Sequence, residues 1–220
     1  MLTRDTQARL GNELAQALSA RSSAPGPQLV DRHDIDAVLG NAAVHQGIAA
    51  YVAALPDRDL ADVVVSDTDD MVLMVLDQVT DPHNVGAVMR SAEAFGAAAV
   101  VVTERNAPEE SGTLAKAASG AIERLPLIRV VNLARELDYL KSRGFWIVGL
   151  AGEATQSLAD SRPGGRVALV LGAEGDGLRR LTREHCDLLV GLPMAGAMPS
   201  LNVSNAAAVA LYETNRARLS

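Results

Sequence analysis

From Met71 to the C-terminus the chain alternates between short continuous apolar runs and longer stretches of helical periodicity, and no other feature limits its fold as strongly. The apolar runs are "MVLMVLD" (71–77), "AAAVVVT" (97–103), "LIRVV" (127–131), "FWIVGLAG" (145–152), "RVALVLG" (166–172) and "DLLVGLP" (187–193). Their length suits strands, and the lack of polar alternation predicts strands covered on both faces, which is the situation of a parallel sheet. Between them lie "NVGAVMRSAEAFG", closed by Gly96, "SGTLAKAASGAIERL", "LARELDYLKSRG" and "LRRLTREHC", with a closing helix at the C-terminus. Strand, helix and strand in this order build right-handed βαβ units. The expectation is an α/β domain over residues 71–220, a parallel sheet flanked by helices.

The front of the chain has a different texture. Leu10, Leu14 and Leu18 recur every four residues, predicting an amphipathic helix from about Arg4 to Ala20 that "SSAPGP" then breaks. "QLVD" reads as a short strand, "DIDAVLG" as a short helix ended by Gly40, and "HQGIAAYVA" as another strand. The acidic "DRDLADVVVSDTDD" reads as a connector holding one or two helical turns. Residues 1–60 are therefore taken as a small α/β domain, 61–70 as a linker and 71–220 as the main domain.

Composition narrows the chemistry. Hydrophobic residues make up 48% of the 220, enough for one sizeable core. The net charge of −7 argues against affinity through blanket phosphate neutralisation. Residues 1–70 carry five Lys/Arg against eleven Asp/Glu, whereas the remainder is close to neutral. The cations are almost all arginine, suited to bidentate contacts with phosphate or carboxylate. Cys186 is the single cysteine, so no intrachain disulfide forms, and no export signal or membrane-length apolar run appears. A cytoplasmic protein without membrane contact is expected.

Ligands of open parallel sheets bind beyond the carboxyl ends of the strands. Three such segments are rich in Gly, Asn, Ser, Arg or Glu: "DQVTDPHNVGAVMRSAEAFGA", "LGAEGDGLRR" and "LPMAGAMPSLNVSNAA". "GAEGDG" has the wrong glycine spacing for a dinucleotide loop. It reads as a plain turn or as a loop for another cofactor, with Glu174 suited to a cation. In the first segment Asn84 is read as a helix N-cap, Arg90 as a residue brought by its spacing toward the strand ends, and His83 as a surface or packing histidine. His185 and Cys186 are ordinary helix residues, and no cluster with metal-ligand spacing is seen.

Together the three segments resemble the motifs of the SpoU (TrmH) RNA ribose 2′-O-methyltransferases of the SPOUT superfamily, and in detail most resemble the RlmB-type enzymes acting on a guanosine of 23S rRNA. The resemblance runs from about Val72 to the C-terminus and reaches into "AVHQGIAA" and "LPLIRVVNLAREL". It implies a C-terminal trefoil knot, an S-adenosyl-L-methionine cofactor, a homodimer that packs through the closing helix, an RNA partner and no metal. It also implies that residues 1–60 correspond to part of an N-terminal RNA-binding domain, so that this front region would be incomplete. By motif correspondence, Gly172, Leu192, Met194 and Leu201 would line the cofactor pocket. Asn84, Arg90, Glu174, Ser200 and Asn202 would be catalytic.

Within that resemblance Arg90 is expected to grip the substrate phosphate or developing alkoxide, because guanidinium holds its proton. Asn84 and Asn202 would orient the hydroxyl, while Glu174 would position Arg90 or accept the proton. Asn205 and the "AMPS" stretch depart from the usual pattern beside the cofactor loop. Two other readings stay open: a tRNA ribose 2′-O-methyltransferase, and a non-catalytic RNA-binding or ribosome-assembly factor.

Overall fold

The computed structural model describes residues 1–19, 26–40, 43–65, 68–161, 163–198 and 200–216. The chain divides into two compact units, Met1–Leu55 and Pro56–Ser220.

In the first unit, α1 (Arg4–Ser19) is broken at Gly11, whose φ of 40° and ψ of −113° lie outside the helical region. The single amphipathic helix expected there is thus two helical pieces joined at a residue without a Cβ. Its expected end at Ala20, the side chain of Leu18 and most of "SSAPGP" lie outside the described residues. The helix read in "DIDAVLG" is α2 (Arg32–Leu39), which starts two residues earlier, after Asp31, and is ended by Gly40 as expected. Neither expected strand forms. "QLVD" and "HQGIAAYVA" contribute only isolated bridges, Leu29 and Ile48 each pairing with Leu2. The positive φ of Gln46 (51°) and Gly47 (81°) turns the second segment just before the bridge, so no ladder propagates. His45 secures that turn: its Nδ1 accepts from the Gly47 N–H and its Nε2 donates to Asp36 Oδ1, each at 3.0 Å.

The second unit begins with α3 (Leu60–Val64) in the segment read as a connector, with Leu60 and Val64 buried in its core. The Arg166 guanidinium donates to the Val64 carbonyl at 2.6 Å and lies over the Phe145 ring, tying this helix to the sheet. Then follow β1 (Met71–Asp77), α4 (Pro82–Ala94), β2 (Ala99–Thr103), α5 (Gly112–Ala118), β3 (Leu127–Val130), α6 (Leu133–Ser142) and β4 (Trp146–Leu150). The chain continues with α7 (Leu158–Ser161), β5 (Arg166–Gly172), α8 (Arg180–Glu184), β6 (Leu188–Val190) and α9 (Val203–Asn215).

The six strands form one sheet in the order β3-β2-β1-β5-β4-β6, and every pairing is parallel. β1 and β2 are buried along their whole length, as their uninterrupted apolar sequences require. Alternate side chains serve opposite faces. Leu73, Val75, Val101 and Ile128 pack with α6 residues Leu133, Leu137 and Leu140, while α4 and α9 lie against β2 and β5.

Three helices differ from expectation. Asp81, not Asn84, caps α4: its carboxylate accepts from the His83 N–H at 2.9 Å, and Pro82 opens the first turn. Asn84 is thereby the third helical residue, with its amide spared from capping. α5 stops at Ala118, well short of Leu125, because Ser119 (φ 52°) and Gly120 (φ 88°) both take left-handed backbone. The short α7 interrupts what read as two successive strands.

After β1 the chain builds outward to β2 and β3, then crosses to β4 on the other side. The loops leaving β1 and β5 consequently part at the centre of the sheet. Such a switch point is where an open parallel sheet offers a crevice.

Candidate active site

At that switch point Asn84, Glu174 and Asn202 meet, carried by α4, the β5–α8 loop and the N-terminus of α9. Glu174 Oε1 is the hub. It accepts from Asn202 Nδ2, from the Val203 N–H at 3.1 Å and from Asn84 Nδ2 at 3.4 Å. Asn202 Nδ2 also donates to Asn84 Oδ1 at 3.0 Å. Asn202 caps α9 as well, its Oδ1 accepting from the Ser204 N–H at 2.9 Å and from Ser204 Oγ.

Hydrogen-bond valence separates the two amides. A primary amide offers two N–H donors and two carbonyl lone pairs. Asn202 uses all four on Glu174, Asn84 and Ser204. Asn84 uses one donor and one acceptor, leaving one of each for a ligand. Both asparagines were expected to orient a hydroxyl. In this arrangement Asn202 organises the cluster, and Asn84 keeps the capacity to engage one.

Arg90 does not join them. It lies six residues beyond Asn84 on α4, which turns it by about 240° and carries it roughly 9 Å along the axis. It is exposed, and among the described residues it has no hydrogen-bond or ion-pair partner. Of the two side chains that the spacing was expected to bring toward the strand ends, only Asn84 is hydrogen-bonded in the cluster. His83 is exposed, as expected for a surface histidine.

Beside the cluster lies a cavity of about 560 Å³, of the size that small cofactors occupy. Gly172, Leu192, Met194 and Leu201 all line it, as do Ser200, Glu174 and Asn202. Pro199, from the "AMPS" stretch, lies outside the described residues. Leu150, Leu171, Val190 and Ala206 add apolar wall. Gly172 makes the loop possible. A Cβ there would stand 2.0 Å from the Gly177 carbonyl carbon, so only glycine lets the two backbones approach. The Gly177 N–H closes the loop onto the Ala173 carbonyl at 2.9 Å.

S-adenosylmethionine combines an apolar-faced adenosine with a cationic sulfonium, and these residues fit both halves. Apolar side chains and main-chain groups suit the adenosine. Glu153, Glu174 and Asp176 line the cavity against one cation, Arg183, which is itself paired with Glu153. The Glu153 carboxyl sits below its usual range, first through a backbone hydrogen bond and then through Arg183.

Two features escaped the sequence reading. Glu153 and Arg183 form their ion pair on the cavity wall. Asp77, which closes the apolar run of β1, is wholly buried and bound to Arg179. The only signal for the latter was a charge ending a buried strand. Elsewhere Cys186 is half-buried, its thiol pushed up to about 11 by burial, with Sγ donating to the Thr182 carbonyl. Among the described residues no group of three or more His, Cys, Asp or Glu gathers as a metal would require. No helix there is long and apolar enough to cross a membrane.

Comparison with known proteins gives the family. The chain is 50% identical over 194 residues to the 23S rRNA (guanosine-2′-O-)-methyltransferase RlmB of Escherichia coli K12, covering 87% of this chain and 79% of that protein. The RlmB of Haemophilus influenzae is 48% identical over 198 residues, covering 88% and 80%. Among solved structures, the SpoU methyltransferase AviRb of Streptomyces viridochromogenes superposes with a TM-score of 0.77 at 25% identity, covering 98% of this chain and 93% of that one. Its complex with the cofactor AdoMet gives a TM-score of 0.68 at 29% identity, over 75% and 66%. Residues 71–212 match the SpoU rRNA Methylase family, and with 50% identity to RlmB over 194 residues the chain belongs to that family.

Proposed function

We propose that this protein transfers the methyl group of S-adenosylmethionine to the 2′-oxygen of a guanosine ribose in 23S rRNA. The observation that carries the reading is the meeting of Asn84, Glu174 and Asn202 at the rim of a cavity lined by Gly172, Leu192, Met194 and Leu201. The half-identity to RlmB supplies the substrate.

The bound cofactor supplies an activated methyl electrophile, so the protein has to align an acceptor and remove one proton. Asn84 donates to and accepts from the ribose hydroxyl with its two open positions. Asn202, saturated by its partners, holds Asn84 and Glu174 in place. Glu174 Oε1 is occupied by three donors, and the proton is received at Oε2. Arg90, exposed and without a side-chain partner among the described residues, engages an RNA phosphate. Ser200, on the cavity wall, orients substrate or cofactor.

The C-terminal segment threads a trefoil knot, a reading supported by Asn202 and the Val203 N–H being fastened to Glu174. Two chains form a homodimer through α9, on which Val209 and Tyr212 are 47% and 48% exposed. The first unit, Met1–Leu55, binds RNA, and the linker expected at 61–70 lies earlier, since Leu60 and Val64 belong to the core of the second unit. Arg4, Arg9 and Arg32 support RNA binding, lining a second cavity with Thr3 and Thr6 alongside the carboxylates Asp5 and Asp31. The protein works without a resident metal, in the cytoplasm, where ribosomes are assembled.

The test is methylation in vitro. Protein and radiolabelled S-adenosylmethionine are incubated with unmodified 23S rRNA or tRNA, and labelled positions are mapped by resistance of the 2′-O-methylated linkage to alkali. Label at one guanosine of 23S rRNA is expected. Label confined to tRNA, or none in either RNA, overturns the assignment.

A further inference from the structure

The geometry points to Asp77 and Arg179 as a clamp that positions Glu174 for methyl transfer. The inference rests on the role assigned to Glu174 above and adds two residues that touch neither cofactor cavity nor cluster.

Asp77 is the last residue of β1 and lies in register opposite Gly172, the last of β5. Its carboxylate is 0% exposed, in the centre of the sheet. Both of its oxygens are committed to one residue 102 positions away. Oδ2 accepts from the Arg179 backbone N–H at 3.1 Å, and Oδ1 accepts from Nε at 2.7 Å, with the terminal guanidinium nitrogen in ion-pair distance of the same oxygen, also at 2.7 Å. Main chain and side chain of Arg179 are therefore held together by a single carboxylate, with charge-assisted bonds on the side-chain half.

Between the two ends of this arrangement runs the loop that carries Glu174. Its start is set by strand pairing at Gly172, its waist by the Ala173–Gly177 bridge and its end by Asp77 gripping Arg179. Glu174 is exposed, and among the described residues its carboxylate is anchored only at Oε1, by Asn84, Asn202 and the Val203 N–H. Asp77 also begins the loop to α4, with Gln78 next in left-handed backbone at φ 62° and Asn84 seven residues on. The pair thus joins the loop that delivers Asn84 to the loop that delivers Glu174. The Arg179 side chain is 46% exposed, so its outer face does not need the pair for burial.

The experiment is a double-mutant cycle on the full chain with Arg179→Lys, which retains the cation but loses the fork, Arg179→Gln and Glu174→Gln. The readouts are kcat for RNA methylation, calorimetric affinity for S-adenosylmethionine and the melting temperature. A positioning role predicts that Arg179→Lys lowers kcat by about ten- to a hundred-fold, as displacement of a reacting group does. It also predicts a melting temperature close to the parent's and almost no further loss when Arg179→Lys is added to Glu174→Gln. Arg179→Gln should show the same non-additivity with a lower melting temperature, since it leaves the Asp77 carboxylate buried with its backbone partner alone. Equal losses from Arg179→Lys in both backgrounds, or no loss in either, overturn the clamp. A Glu174→Gln variant with parental kcat overturns the role of Glu174 and the clamp together, which separates the failure of that assignment from failure of the coupling.

Discussion

At the scale of single residues, the site is decided by how many hydrogen bonds each group has left. Asn84 and Asn202 are the same amide on two helices, yet one is saturated and the other half open. Asn84→Ala is therefore expected to lower kcat by about a hundred- to a thousand-fold, the range seen when one preorganised donor is removed. Its melting temperature and cofactor affinity should stay near the parent's. Asn202→Ala removes an N-cap and two supports at once, so it should also cost about 1 kcal/mol of stability from the cap alone. Thermal denaturation beside single-turnover kinetics distinguishes the two, and equal stability losses would contradict the assignment. Cys186 gives a pH prediction of opposite character. With its thiol pushed up to about 11 by burial, it stays protonated at pH 8. Only thiolate reacts with iodoacetamide. Labelling of the native protein should be slow at pH 8, rise with pH towards 11 and become rapid at pH 8 only on unfolding. Rapid labelling of native protein at pH 7 would contradict it. The identities of Asn84, Glu174 and Asn202 were legible from their motifs. Their division of labour was not, because valence is set by partners as far as 118 residues away.

Elements carry the site through close backbone approach. Gly86 on α4 faces α5, where an added Cβ would lie 2.6 Å from the Ala117 Cβ and 2.7 Å from the Leu114 carbonyl oxygen. Gly86→Ala should push the helices apart and cost about 1–3 kcal/mol, the usual range for an overpacked contact. Gly172→Ala meets backbone on the far side, at Gly177, and no rotamer change relieves that. The loop itself must move, so cofactor affinity measured by calorimetry should fall by at least about ten-fold, more than the melting temperature alone would suggest. Unchanged affinity would show that the loop tolerates displacement. Strand positions were readable because a parallel strand covered on both faces is apolar throughout, as β1 and β2 are. Helix ends were less so. α5 ends early because Ser119, a residue with no strong left-handed preference in sequence, is held at φ 52°.

At the scale of the whole molecule, the chain has two units, and the stretch from 50 to 59 between α2 and α3 has no regular structure and is largely exposed. Exposed irregular segments are the first to be cut. Brief trypsin digestion should cleave after Arg58 and leave a resistant fragment starting at Asp59, which mass spectrometry would identify. Early cleavage inside the sheet unit instead would contradict the division. The amino-acid order alone determined the alternation that makes the parallel sheet and the three strand-end segments that supply its site. Both are local, since burial on two faces and turn chemistry are written in a few neighbouring residues. Tertiary structure decided that Asn84 and not Arg90 reaches the cluster, that Asn202 is spent on organising it, and that Asp77 holds Arg179. Those outcomes depend on the register of β1 against β5 and on the rotation of α4. Neither is encoded in any short stretch, because each arises only when distant segments compete for the same hydrogen-bonding groups.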